Sequence, residues 1–118
     1  MKRLVITNNP KVLANVKNDI VEYYSCDYMG VLLAVRDKVH LGYQLLSHPL
    51  SGSVKPDETP YKTVVLSAEN SILDTRSLQI IEESIAVCKK LTKKINNKYY
   101  TDQKLKDFQL IDYDLIYG

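Results

Sequence analysis

The sequence is short of cysteine and of long hydrophobic runs, and both shortages exclude classes of protein. Its two cysteines, Cys26 and Cys88, lie far apart and favour neither a disulfide framework nor a zinc site. The longest apolar run, 29–35, is interrupted by Gly30 and is much shorter than a membrane span. The aliphatic residues after the basic start are too few for a secretory signal. We therefore expect reduced thiols, a cytoplasmic protein and no membrane partner.

An excess of charge of one sign is missing as well. Charged residues make up 25% of the chain, and the formal net charge is only +2 at pH 7. Basic residues cluster only between Lys89 and Lys98, late in a predicted helix, where they complement the helix dipole. No DNA-binding motif accompanies them, so we expect no nucleic-acid partner. With 118 residues and 45% hydrophobic content there is room for one core, which predicts a single domain over residues 1–118.

Motifs for catalysis and cofactor binding are also missing. The sequence contains no phosphate-binding G-x-x-x-x-G-K-[ST] loop, no dinucleotide-binding fingerprint, no nucleophile elbow and no zinc-binding helix. His40 and His48, with Asp57 and Glu58 beyond them, have no standard metal-ligand spacing. We therefore expect no metal and no cofactor.

The pattern of apolar residues alternates between strands and helices. Short buried runs predict strands at 3–7, 23–28, 43–47 and 61–67, with the second strand at an edge. Helical periodicity predicts helices at 10–20, 31–40 and 75–95. The tail at 101–118 also fits a helix, with a short extended piece at its end as the alternative, because Ile111, Tyr113 and Leu115 alternate. The expected caps are Asn9 and Pro10 for the first helix, Gly42 after the second, Asp74 for the third and Thr101 for the fourth. This order predicts an α/β fold, a single three-layer domain with a mostly parallel sheet and helices on both faces.

Three of the four prolines, Pro49, Pro56 and Pro60, fall in the stretch from His48 to Tyr61. Proline donates no backbone hydrogen bond and forces the preceding residue toward extended conformations, so this stretch is neither a helix nor a central strand. A loop of this length is near the upper end of ordinary connections, where loops are often functional. Because the prolines lower the conformational entropy of the loop and its side chains supply many polar groups, we predict that it is ordered and functional.

The candidate site follows from the predicted sheet, because ligands bind beyond the carboxyl ends of parallel strands. The first strand ends at Thr7, and the third leads into the loop at His48. If these strands are parallel neighbours, both segments face one crevice suited to a carboxylate or a phosphate. The predicted ligand-binding residues are Thr7, Asn8, Asn9, His48, Ser51, Gly52, Ser53, Lys55, Glu58 and Thr59.

Two residues of this set have a structural alternative. Asn9 before Pro10 is also a routine helix start, with no ligand involved. His48 is the candidate general acid or base, although a histidine before a proline at a strand end more often only hydrogen-bonds the loop to itself.

Three segments carry a resemblance to a known family. TNNP at 7–10, RDKVHLGYQLLSHPLSGSVKP at 36–56 and ETPYKTVVLS at 58–67 resemble the GrdX family. These are small proteins encoded beside the glycine, sarcosine and betaine reductase components of anaerobic amino-acid-fermenting bacteria. The resemblance implies a reductase operon and a cytosolic setting in an anaerobe, and it supplies no catalytic residues.

Two functions stay open at this point. The first is a non-catalytic accessory protein that binds a small anionic metabolite or a reductase component through the 48–61 loop. The second is a small enzyme in which His48 is the general acid or base and Ser51, Ser53 or Lys55 fixes an anionic substrate.

Overall fold

The computed structural model describes residues 2–92 and 100–118 of the chain. In these ranges it has three strands and four helices, so the predicted α/β class is confirmed. No helix in the described ranges is long and apolar enough to cross a membrane. The elements are β1 Leu4–Thr7, α1 Pro10–Asn15, β2 Ile20–Tyr23, α2 Tyr28–His40, β3 Thr63–Leu66, α3 Thr75–Thr92 and α4 Asp102–Tyr117.

The three strands form one sheet in the order β2-β1-β3. β1 pairs in parallel with β2 and antiparallel with β3, so the sheet is mixed and not mostly parallel as predicted. The antiparallel register places Thr7, the last residue of β1, opposite Thr63, the first residue of β3. The loop that precedes β3 therefore returns the chain to the carboxyl end of β1 and positions the candidate site there.

Alternate strand residues point to opposite faces of this sheet. Ile6 and Val64 belong to a core cluster with residues of α2 and α3, whereas Val5 and Val65 belong to a second cluster with residues of α1 and α4. The first cluster contains Leu4, Ile6, Tyr28, Val31, Leu32, Val35, Val39, Val64, Leu66, Ile81, Ile85 and Cys88. The second contains Val5, Val12 and Val65, with Val16, Val21, Tyr113, Ile116 and Tyr117 packed against them.

The boundary between the first helix and the second strand differs from the prediction. α1 ends at Asn15, and Val16 already has an extended backbone. Ile20 is the first residue of β2 and donates its N–H to the Arg3 carbonyl at 2.8 Å. The helical spacing of Ile20 after Val12 and Val16 was misleading, because pairing with β1 overrides local periodicity. β2 occupies the predicted edge position, but it ends at Tyr23 where the prediction began.

The predicted third strand at 43–47 is wrong. This segment makes only one isolated bridge, between Leu45 and Leu66. Backbone hydrogen bonds from Leu46 N and Ser47 N to the Val65 carbonyl link it to β3, and two side-chain hydroxyls add to them. Ser47 Oγ accepts from Val65 N, and Ser77 Oγ accepts from Leu45 N. The segment therefore runs beside β3 without forming a strand.

The predicted helix ends are largely confirmed. Gly42 follows α2 with φ of +100°, Asp74 Oδ2 accepts from Ser77 N at the start of α3, and Thr101 Oγ1 accepts from Lys104 N at the start of α4. α4 continues to Tyr117. The predicted continuation of α3 to residue 95 lies outside the described residues.

Candidate functional site

A cavity of about 290 Å³ lies between the loop before β3 and helix α4. Its wall is largely apolar, with a small number of polar groups, which is the usual composition of a small-molecule site. The loop, α2 and α4 all contribute to it. The lining residues are Tyr28, Ser51, Gly52, Ser53, Val54, Thr59, Tyr61, Lys62, Phe108, Ile111, Asp112, Asp114 and Leu115.

The chief charged group of the cavity is Lys62. Only 2% of this residue is exposed, although lysine is almost never fully buried without a partner. Its Nζ donates to the Ser51 carbonyl at 2.7 Å and to Ser51 Oγ at 3.2 Å. Burial lowers the pKa of Lys62 to about 8, and the negative charge of Asp112 opposes this shift. Lys62 is thus mostly charged at neutral pH, but it loses its proton at a lower pH than an ordinary lysine does.

The loop is shaped so that Ser51 meets Lys62. A turn forms where Ser51 N donates to the His48 carbonyl at 3.0 Å. Gly52 follows with φ of +108°, a conformation that favours glycine, and a Cβ there would lie 3.2 Å from a methyl carbon of Leu115. The absence of a side chain at residue 52 therefore permits the loop to approach α4 and close one side of the cavity.

Two tyrosines form part of the cavity wall. The Tyr28 hydroxyl donates to the Pro49 carbonyl at 3.1 Å, and burial raises the pKa of Tyr28 well above its usual range. The Tyr61 hydroxyl accepts from Gln109 Nε2 at 2.8 Å, which joins the loop to α4. Both rings are thus fixed by hydrogen bonds and present a rigid aromatic surface.

A buried hydrogen-bond chain holds α4 against the end of the sheet. Asp112 Oδ1 accepts from Thr63 N at 3.0 Å, and Asp112 Oδ2 accepts from Thr63 Oγ1 at 2.6 Å and from Asn9 Nδ2 at 2.9 Å. Because Thr63 gives its hydroxyl proton to Asp112, the 2.7 Å contact between Thr7 Oγ1 and Thr63 Oγ1 has Thr7 as the donor. Thr7 Oγ1 in turn accepts from Asn9 N. Both hydroxyl protons of this hydrogen-bond chain, those of Thr7 and Thr63, have an assigned acceptor.

Asn8 fastens three segments beside the same strand end. Its Nδ2 donates to the Pro60 carbonyl at 2.7 Å and to the Cys26 carbonyl at 2.9 Å. Its Oδ1 accepts from Lys62 N at 2.8 Å. The side chain thereby fixes the backbone of Lys62, while its own polar atoms are engaged within the protein.

The structure divides the predicted ligand-binding residues into three groups. Four of them line the cavity: Ser51, Gly52, Ser53 and Thr59. Three lie buried beside it in the hydrogen-bond networks just described: Thr7, Asn8 and Asn9. The other three are exposed and are not among the described lining residues: His48, Lys55 and Glu58.

The exposed loop residues make local hydrogen bonds. His48 Nδ1 accepts from Leu50 N at 3.0 Å, and Glu58 Oε1 accepts from Lys55 N at 3.1 Å. His48 also borders a separate depression with Asp74 and Arg76 at the start of α3. A catalytic role for His48 stays a prediction. Within the described ranges, no group of three or more histidine, cysteine or acidic side chains is placed to hold a metal ion.

Sequence reasoning missed Lys62, Asp112 and Phe108 as cavity residues. Lys62 had a usable signal, since it directly precedes the continuously apolar run of β3, where its backbone was bound to be buried. Asp112 had a weaker one, as a charged residue among the apolar positions of α4. Nothing in the local sequence indicated that α4 packs beside the loop, because their separation along the chain is large.

The model of the GrdX-like protein family matches residues 4–118. Neither the comparison with curated proteins nor that with solved structures gives a significant match. The family match includes the whole sheet, the loop and α4, and it confirms the resemblance carried by the segments at 7–10, 36–56 and 58–67. The chain that builds this cavity from its loop and its last helix belongs to the GrdX-like protein family.

Proposed function

We propose that this chain is a non-catalytic accessory protein of the glycine, sarcosine and betaine reductase system and binds a small anionic metabolite in the cavity beneath the 48–61 loop. The observation that carries the binding proposal is Lys62, a buried cation in the wall of a cavity of about 290 Å³. The link to the reductase system comes from the family resemblance.

The hydrogen bonds of Lys62 leave it one donor for a ligand. An ammonium group has three N–H donors. Among the described residues, Lys62 Nζ donates to two acceptors, and both belong to the uncharged Ser51. A buried charge is stabilised by an oppositely charged partner. A carboxylate or phosphate oxygen in the cavity would accept the third N–H and supply that charge.

Neither aspartate of the wall accepts a hydrogen bond from Lys62 among the described residues, although the negative charge of Asp112 acts on it. Asp112 accepts hydrogen bonds from Thr63 and Asn9, which occupy both of its oxygens. Asp114 is exposed at the rim of the cavity. We therefore expect the anionic end of the ligand to lie against Lys62 and its uncharged part toward α4.

The rest of the wall favours a ligand with a small apolar portion. α4 contributes a ring and two aliphatic side chains, and the loop contributes one more aliphatic side chain. Such a wall stabilises a ligand by about 25 cal/mol for each Å² of apolar surface removed from water. These apolar residues are Val54, Phe108, Ile111 and Leu115.

A thermal-shift titration tests the proposal. The purified protein is titrated with glycine, sarcosine, betaine, acetate, acetyl phosphate and inorganic phosphate. A ligand at about a hundred times its dissociation constant stabilises the folded state by about 2.7 kcal/mol, which raises the melting temperature by several degrees. At least one of these compounds is expected to give such a shift in the wild-type protein.

Matched lysine variants locate the site. Lys62→Met is expected to abolish the shift, because it keeps most of the length of the side chain and removes the charge. Lys55→Met removes a lysine charge from the exposed part of the same loop, and the thermal shift is expected to remain in this variant. A shift that survives Lys62→Met would contradict the proposed site.

Absence of a shift with every compound would count against a metabolite and favour the other occupant, a reductase component docked on the 48–61 loop. A pull-down with the separate purified reductase components then tests that role. The enzyme alternative makes a different prediction, since turnover of an anionic substrate would be lost in a folded His48→Ala variant.

A further inference from the structure

We propose that Lys62 is a covalent carbonyl-binding site, at which the side-chain amine forms a reversible imine with a small aliphatic aldehyde or ketone held in the cavity. This goes beyond the proposed function, because it uses the neutral amine and needs neither an anionic ligand nor a reductase partner. The charged form of Lys62 would bind an anion, and the neutral form would react with a carbonyl compound.

The geometry presents the amine to the cavity in one orientation. Ser51 accepts from Lys62 Nζ through its carbonyl at 2.7 Å and through Oγ at 3.2 Å, and both residues line the cavity. A free lysine side chain has many rotamers, and fixing it before reaction removes an entropic cost of bond formation. Only 2% of Lys62 is exposed, which limits hydrolysis of the imine by bulk water.

The surroundings favour the neutral amine that such a reaction requires. Burial lowers the pKa of Lys62 to about 8, although Asp112 on α4 favours the charged form. The other titratable groups that face the cavity are Tyr28 on α2, Tyr61 on the loop and Asp114 on α4. Relative to an ordinary lysine with a pKa of 10.5, the neutral fraction at pH 7 is about 300-fold larger.

The reaction balances without any oxidant or reductant. The amine lone pair attacks the carbonyl carbon, a C–N bond forms, and one proton of the nitrogen passes to the carbonyl oxygen. The resulting carbinolamine loses its hydroxyl, which leaves as water with the second proton of the nitrogen, and a C=N bond remains. Ser51 Oγ lies within hydrogen-bond distance of the nitrogen and is placed to pass this proton.

Reductive trapping tests the inference. The full chain is incubated at pH 7 with limiting propionaldehyde and sodium cyanoborohydride, which reduces an imine to a stable propyl-lysine, and peptide mapping measures the label on each lysine. Lys62 is expected to be labelled at least tenfold faster than Lys55. Unfolding in urea before labelling is expected to remove this preference, because all lysines then have ordinary pKa values.

Two variants separate cavity chemistry from incidental reactivity. Lys62→Met is expected to remove the fast label and leave the slow labelling of Lys55 unchanged. Leu115→Trp keeps Lys62 but fills the cavity, and it is expected to slow labelling of Lys62 at least tenfold while circular dichroism shows a folded protein. Labelling of Lys62 at the rate of Lys55, or fast labelling that persists in folded Leu115→Trp, would overturn the inference. Neither result depends on whether an anion binds.

Discussion

Thr63 gives both of its hydrogen-bond donors to one carboxylate, that of Asp112. Its N–H donates to Oδ1 at 3.0 Å and its hydroxyl donates to Oδ2 at 2.6 Å. The two residues are 49 positions apart, and the pair fixes α4 to the first residue of β3. The position of the α4 wall of the cavity therefore depends in part on one buried side chain.

Asp112→Ala is expected to destabilise the protein by about 3 kcal/mol. The substitution leaves three buried donors, two on Thr63 and one on Asn9, without their acceptor, and each unsatisfied buried group costs about 1–3 kcal/mol. Urea denaturation at pH 7 measures the change. Asp107→Ala removes an exposed carboxylate from the same helix and is expected to cost less than about 0.5 kcal/mol. Equal effects of the two variants would contradict the role assigned to Asp112.

Gly42→Ala is expected to destabilise the fold more than Gly52→Ala. Both glycines have positive φ, which costs a side chain about 1–2 kcal/mol. At residue 42 a Cβ would also collide with the Ser71 backbone oxygen, whereas at residue 52 it would meet only a movable Leu115 methyl group at 3.2 Å. Thermal melting of the two variants measures the difference. A smaller loss for Gly42→Ala would show that the turn after α2 is free to rearrange.

Acid is expected to weaken the link between β1 and the start of β2. The hydrogen bond from Arg3 holds the pKa of Asp19 below its usual value, and Tyr117 acts in the same direction. A lowered carboxyl pKa contributes stability that is present above about pH 4 and is lost as the pH falls further. The unfolding free energies of wild type and Asp19→Asn, measured from pH 6 to pH 2.5, are therefore expected to converge in acid. A constant difference across this range would contradict the ion pair.

Alkaline pH is expected to stabilise wild type relative to Lys62→Met. With a folded pKa of about 8 and an unfolded value of 10.5, the unfolded state binds more protons in between, so stability rises with pH over this window. The full difference is about 3 kcal/mol, as an upper value. Urea denaturation of both proteins at pH 7, 8, 9 and 10 measures it, and the tyrosines common to both proteins cancel in the comparison. A difference that does not change with pH would show that Lys62 keeps an ordinary pKa.

Features that depend on near neighbours in the sequence were predictable. Asn9 with Pro10, Asp74 and Thr101 start helices because their side chains accept from N–H groups two or three residues later. Gly42 ends α2 because the backbone there needs a positive φ. These contacts join residues within one turn of the chain, so the residue types at those positions are enough to predict them.

Features that depend on residues far apart in the sequence could not be predicted. Ile20 fits a helical stripe, and only its pairing with β1 makes it a strand residue. The segment at 43–47 looks like a strand, but the N–H groups of Leu45 and Val65 bond to the hydroxyls of Ser77 and Ser47, which interrupts a regular ladder. Within the site, the loop was recognisable from its prolines, but the cavity was not, since its other wall is α4. Local patterns carry no information about which distant helix faces a loop.

The two walls of the cavity are synthesised at different times. Residues 51–62 leave the ribosome well before residues 108–115, so during synthesis the first wall exists before the second. The cavity is complete only when Asp112 has reached Thr63 and Asn9. A ligand that binds the complete cavity favours the docked position of α4 by mass action. Occupancy of the site would thus report that the chain has finished folding.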